Sequence, residues 1–141
     1  MVELTFTVLL VDDNFDHRFL TKRALKPLET DGKLRVLTAE DGEEAFQLLR
    51  TGLAPGLVLL DIKMPRRDGF ELLTEIRSDP TMATLRVVMF SSSENRVDVE
   101  RARQLGADDY VTKPLDAREF QAKVHETVLQ WLARAGDRSP A

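Results

Sequence analysis

Short apolar runs alternate with amphipathic stretches along the whole chain. Five of the runs read as strands: 5–11 (TFTVLLV), 34–38 (LRVLT), 57–60 (LVLL), 86–90 (RVVMF) and 110–112 (YVT). Between and after them, apolar residues recur at helical spacing. This alternation predicts an α/β fold, a doubly wound five-stranded parallel sheet with five helices. The third and fourth runs are almost continuously apolar, as central parallel strands are when helices cover both sheet faces.

Capping patterns delimit the helices. Asn14 caps the first, which is expected to stop near Lys26 because Pro27 has no donor and disfavours helical geometry in the residue before it. Asp41 and Glu44 form a D-x-x-E start for the second, and Gly52 marks its end. The third spans about 70–77 before Asp79-Pro80. The fourth spans about 96–105 and ends at Gly106, with one residue of the run Ser91-Ser92-Ser93 expected to cap it. Asp116 and Glu119 start the last, whose face carries Phe120, Val124, Val128 and Leu132; Trp131 is expected at the edge of that stripe, half exposed. The stretches 27–33 and 51–56 read as surface loops. The expected layout is one domain over 4–134 and a disordered tail over 135–141.

For a doubly wound sheet of this length the expected strand order is 2-1-3-4-5, with the ligand crevice at the switch point between strands one and three. Asp12-Asp13 and Asp61 fall on its two lips.

With 141 residues and 43% hydrophobic content, the chain supports one well-buried core. A formal net charge of −4 argues against a nucleic-acid surface. The absence of cysteine excludes disulfides and thiolate metal sites. The start MVELTFTVLLVDDN carries no basic leader, and no stretch approaches the roughly 20 apolar residues of a membrane span. The expectation is a soluble, cytoplasmic protein with no membrane contact.

The candidate chemistry lies just past the strands. Paired acids after a strand often only cap a helix, so Asp12 and Asp13 alone say little. Asp61 changes the balance, because a third carboxylate converging on the same crevice is repulsive without a cation. An oxygen-only donor set suits Mg²⁺, with Mn²⁺ as the alternative, rather than zinc. Asp61 is followed by the turn segment 62–69 (IKMPRRDG) and can act as a nucleophile on phosphorus, forming an acyl phosphate. Such a transfer needs positioning and charge neutralisation. Lys113, between Thr112 and Pro114, supplies a point charge aimed at the crevice; Ser91 is the first choice for a phosphate-facing hydroxyl and Ser92 the second. His17 and His125 lack a metal-ligand partner at i+4 and read as surface residues. Arg66 and Arg67 read as solvating their loop, and Phe120 as core.

These marks together resemble the receiver domain of two-component response regulators: VDD at Asp12-Asp13, D-x-x-M-P-x-x-D-G from Asp61 to Gly69, a hydroxyl at Ser91, and GADDYVTKP from Gly106 to Pro114 with an aromatic at Tyr110. The resemblance spans about 4–132 and implies the flavodoxin-like receiver fold. It implies Asp61 as phosphoacceptor, Asp13 as a direct Mg²⁺ ligand, Asp12 as a ligand largely through water, and the Lys63 backbone carbonyl as a further ligand. Lys113 would contact the phosphoryl group, Ser91 and Tyr110 would form the switch pair, and the Lys113–Pro114 bond would be cis. Lys63 and Ser93, each two residues past a site residue, are less typical and bear on the autodephosphorylation rate.

A haloacid-dehalogenase-type phosphohydrolase would need a second aspartate at position 63, where lysine stands. A flavodoxin-like FMN carrier would need a hydroxyl- and glycine-rich loop where this chain has DDNFDH. A non-phosphorylated interaction module is disfavoured by the intact acidic site. No output domain is expected after Leu132, so the chain is similar to stand-alone, chemotaxis-type receivers, and VLQWLARAG with VVMFSSSEN is similar to receivers serving phytochrome-type kinases. The implied partner is a sensor histidine kinase, and the implied function is accepting its phosphoryl group rather than turning over a substrate as an enzyme. A homodimer through the last helix and strand five is also expected.

Overall fold

The computed structural model describes residues 6–136. Five strands, β1 (Phe6–Val11), β2 (Leu34–Ala39), β3 (Leu57–Leu60), β4 (Val87–Ser91) and β5 (Asp109–Thr112), form one sheet in the order β2-β1-β3-β4-β5. All four pairings are parallel. The helices are α1 (Phe15–Thr30), α2 (Gly42–Arg50), α3 (Gly69–Ser78), α4 (Arg96–Gln104) and α5 (Ala117–Gly136). The doubly wound order and all ten elements agree with the sequence reading. The rest of the expected tail, 137–141, lies outside the described residues.

Strand alternation sorts the apolar side chains into two layers. Leu9, Val11, Val58, Leu60, Val87 and Met89 face α2, α3 and α4, meeting Ala45, Phe70, Ile76 and Ala102. Their strand neighbours Val8, Leu10, Leu57, Leu59, Val88 and Phe90 face α1 and α5, meeting Leu25, Leu28, Phe120, Val124 and Val128. Every residue of β3 is buried, which is why its sequence shows no polar alternation.

Helix α1 does not stop at Lys26. Pro27 lies inside it, and the helix continues to Thr30 because Leu25 and Leu28 bury against the sheet and the Glu29 carboxylate accepts the Val36 amide of β2 at 2.9 Å. These tertiary gains outweigh the one backbone hydrogen bond that proline cannot make. The stop is at Gly32, whose φ of 72° lets its amide reach Glu29 O while Lys33 reaches Leu28 O. Trp131 is also unlike the expectation, at 5% exposure. Three residues beyond Val128, it continues the buried stripe, and Leu132 takes the edge. The cap of α4 is Asn95, not a serine, with its side chain accepting from Val97 N at 2.8 Å.

Candidate functional site

The parallel sheet places Asp12, Asp61, Ser91 and Lys113 at the carboxyl ends of its strands. Asp12 follows β1 and still donates its amide to Ala39 O of β2; Asp61 follows β3 and donates to Val11 O of β1. Ser91 ends β4, and Lys113 follows β5 with its amide on Ser91 O at 2.7 Å. Ladder hydrogen bonds therefore hold the backbones from which these side chains converge.

At the centre stands the Lys113 ammonium, on a residue 5% exposed. It donates to Asp12 Oδ2 at 2.6 Å and to Asp61 Oδ2 at 3.2 Å, and lies 2.9 Å from His17 Nδ1. Asp12 is 1% exposed, and its other oxygen accepts the Asn14 amide. Asp13 is exposed at the mouth and lines a cleft with Ile62, Lys63, Met64 and Asp68. Lys63 thus borders the expected metal position.

Burial pushes the Asp61 carboxyl up to about 6, with Asp12 adding in the same direction and Lys113 opposing. The same physics acts on His17: burial and then Lys113 lower its pKa, while Asp12 works against them. Asp12, Asp13 and Asp61 each offer a carboxylate oxygen, all within 4.8 Å of one another. Three hard donors that close fit a small divalent cation and its water. Among the described residues no other acidic, histidine or cysteine cluster of this kind occurs, and His125 joins none.

The turn after Asp61 is built for close approach. A side chain at Gly69 would put its Cβ 2.1 Å from the Asp61 carbonyl oxygen, and the Gly69 amide donates to Ile62 O at 2.8 Å. Asp68 caps α3 through the Glu71 amide. Arg66 and Arg67, at φ 48° and 84°, do more than solvate the loop. Arg66 pairs with Asp41, the cap of α2, and Arg67 pairs with Glu43 at 3.3 Å and Glu75 at 2.8 Å while lying over the Phe46 ring. Ion pairs across to α2 thus hold two residues in the left-handed region.

Ser91 is 3% exposed and Ser92 is exposed, which favours the first hydroxyl. The Ser91 oxygen accepts from Ser93 N at 3.2 Å, and the Tyr110 hydroxyl donates to Ser93 O at 2.7 Å. No cis peptide bond occurs among the described residues, so Lys113–Pro114 is trans, the intrinsic preference of an X–Pro bond. His17 is the residue that sequence reasoning missed. Expected on the surface, it instead touches Lys113 and packs on the Phe120 ring, with centroids 5.1 Å apart. It extends the buried α1 stripe of Thr21, Leu25 and Leu28 back by one turn, a periodicity readable in the sequence had polar residues been counted.

Comparison with known proteins agrees with this geometry. The family profile described as response regulator receiver domain matches residues 8–125. The chain is 33% identical over 140 residues to the probable methanogenesis regulatory protein FilR2 of Methanothrix harundinacea, covering 96% of this chain and 88% of that protein. It is 36% identical over 117 residues to the probable transcriptional regulator ycf27 of Guillardia theta, covering 83% of this chain and 43% of the relative. Among solved structures, the phosphorylated cyanobacterial phytochrome response regulator RcpA superposes with a TM-score of 0.88 at 32% identity, over 98% of this chain and 100% of that one. The Mn²⁺-bound form of response regulator Rcp1 gives 0.82 at 27% identity, over 90% and 94%.

Proposed function

The chain belongs to the response regulator receiver domain family of two-component signalling, and we propose that it accepts a phosphoryl group from the phosphohistidine of a sensor histidine kinase onto Asp61. The observation that carries this reading is the convergence of Asp61, Asp12 and Lys113 on one crevice, with Lys113 Nζ 3.2 Å from the Asp61 oxygen that would attack.

Asp61 Oδ2 forms a bond to phosphorus as the bond from phosphorus to the histidine nitrogen breaks. The electron pair stays on the imidazole, and Asp61 becomes an acyl phosphate. Lys113 transfers its longest hydrogen bond from Asp61 Oδ2 to a phosphoryl oxygen. The Ser91 hydroxyl, now an acceptor for Ser93 N–H, turns its proton to another. Asp13, Asp61 and the Lys63 carbonyl would hold Mg²⁺, or Mn²⁺ in its place, with Asp12 contributing through water, and the cation would supply charge neutralisation on the phosphoryl oxygens. Turnover is confined to the protein's own phosphoryl group, so it signals rather than processing a released substrate.

The likeness to RcpA supports a kinase of the phytochrome-linked type. Among the described residues no helix is long and apolar enough to cross a membrane, and the domain is assigned to the cytoplasm, where ATP charges the kinase histidine. A net charge of −4 gives no basis for nucleic-acid contact. Tyr110 lies on β5, which among the described residues is an edge strand paired with β4, and its coupling to Ser93 supports signalling through the face formed by α4, β5 and α5. A homodimer on β5 and α5 would use that face without Trp131, which is buried. Phosphotransfer profiling tests the assignment: label is expected to move from one kinase to the wild type and not to Asp61→Asn. Label that stays on every kinase, phytochrome-linked kinases included, would overturn it.

A further inference from the structure

All three ammonium protons of Lys113 are taken up inside the protein, by Asp12 Oδ2 at 2.6 Å, His17 Nδ1 at 2.9 Å and Asp61 Oδ2 at 3.2 Å. Two of these acceptors are the crevice carboxylates. The third is an imidazole nitrogen, and since an ammonium only donates, Nδ1 must present a lone pair. The ring is held in that attitude. It packs on Phe120, and Phe120 packs on Phe90 with centroids 5.2 Å apart. The next residue, Arg18, donates to the Asp12 carbonyl at 2.9 Å and fixes the first turn of α1 to the end of β1.

We propose that His17 is a positioning residue for phosphoryl transfer, which takes one ammonium proton of Lys113 and thereby aims another at the space beside Asp61 Oδ2. The inference rests on reading Asp61 as the phosphoacceptor. A lysine ammonium rotates freely about its last bond unless acceptors fix it. Asp12 and His17 hold the two shorter contacts, so the longest, to Asp61, is the one that yields when a phosphoryl oxygen arrives. Without His17 the ammonium is shared between two carboxylates only. It then closes on Asp61 Oδ2, and the contact that must yield to a phosphoryl oxygen yields less readily.

Two variants separate this role from simple packing. His17→Phe keeps a ring against Phe120 and removes the acceptor; His17→Asn keeps an acceptor on the same γ carbon and removes the ring. Each is measured for phosphorylation by a small acyl-phosphate donor at saturating magnesium, for the lysine ammonium NMR signal of Lys113, and for thermal midpoint. His17→Phe should react about fivefold more slowly, the equivalent of one lost hydrogen bond, with the Lys113 signal displaced. His17→Asn should stay within about twofold of wild type despite a lower midpoint, so that rate follows the acceptor and not the stability. A His17→Phe protein with the wild-type rate and an unmoved ammonium signal would overturn the proposal, as would rates that track the midpoints. A wild type that takes up no phosphoryl group overturns the phosphoacceptor reading as well. A phosphorylated wild type beside an unaffected His17→Phe overturns this one alone.

Discussion

The Tyr110 hydroxyl donates to the backbone carbonyl of Ser93 across 2.7 Å, and the amide of that same Ser93 donates to the Ser91 hydroxyl at 3.2 Å. One residue thus joins the phosphate-facing hydroxyl to the aromatic of β5. Its own hydroxyl continues the link to α4 through Asp98 at 2.7 Å. Drawing the Ser91 hydroxyl toward new phosphoryl oxygens removes an acceptor from the Ser93 amide and shifts the populations of Tyr110 and α4. In wild type, NMR shifts on adding beryllium fluoride are expected to spread from Asp61 to Tyr110, α4 and α5. In Ser91→Ala they should stay local, and equal spread in both proteins would exclude this route.

Asp61 imposes a pH-dependent cost on the resting protein. Its carboxyl ordinarily titrates at 3.8 and is pushed up to about 6 in the fold. The folded state therefore holds a proton that the unfolded chain has released. Stability falls as pH rises through this window, and the full penalty applies above it. Asp61→Asn should stabilise the magnesium-free protein by about 1–3 kcal/mol at pH 7.5, and by much less near pH 4. Urea unfolding at both pH values measures this; a pH-independent difference would contradict it.

Asp13 is exposed, so its replacement should leave the fold within about 0.5 kcal/mol of wild type. Asp13→Ala should nonetheless lose divalent-cation binding by calorimetry and phosphorylation by an acyl-phosphate donor. Wild type in chelator should behave in the same way. Phosphorylation of Asp13→Ala at the wild-type rate in chelator would exclude the metal role.

Gly69→Ala places a methyl carbon 2.1 Å from the Asp61 carbonyl, where only backbone can give way. The expected loss is about 1–3 kcal/mol or more, accompanied by slower phosphorylation because the displaced backbone carries Asp61. Thermal unfolding at wild-type levels would show that the turn opens more easily than this contact implies.

Much of this was legible in the sequence because parallel strands write their own signal. Runs such as LVLL are buried on both faces, and the residue after each run sits at the crevice, so Asp12, Asp61, Ser91 and Lys113 could be placed without coordinates. What was not legible depends on contacts distant in sequence. Helix α1 passes through Pro27 because the Val36 amide of β2 donates to the Glu29 carboxylate, and nothing local announces that. The ion pairs that join Arg66 and Arg67 to α2 link residues 25 and 24 positions apart, counted from Asp41 to Arg66 and from Glu43 to Arg67. Trp131 and His17 were misplaced for a different reason. Both continue buried stripes at three- or four-residue spacing, Trp131 from Val128 and His17 from Thr21.

The most direct test of the central claim is intact-mass analysis after incubation with a small acyl-phosphate donor and magnesium. Wild type should gain the mass of one phosphoryl group, because Asp61 accepts from the Lys113 ammonium and, unlike Asp12, follows the strand that pairs with β4, at whose end Ser91 stands. Asp61→Asn should gain none. A full adduct on Asp61→Asn, or none on wild type, would contradict the account.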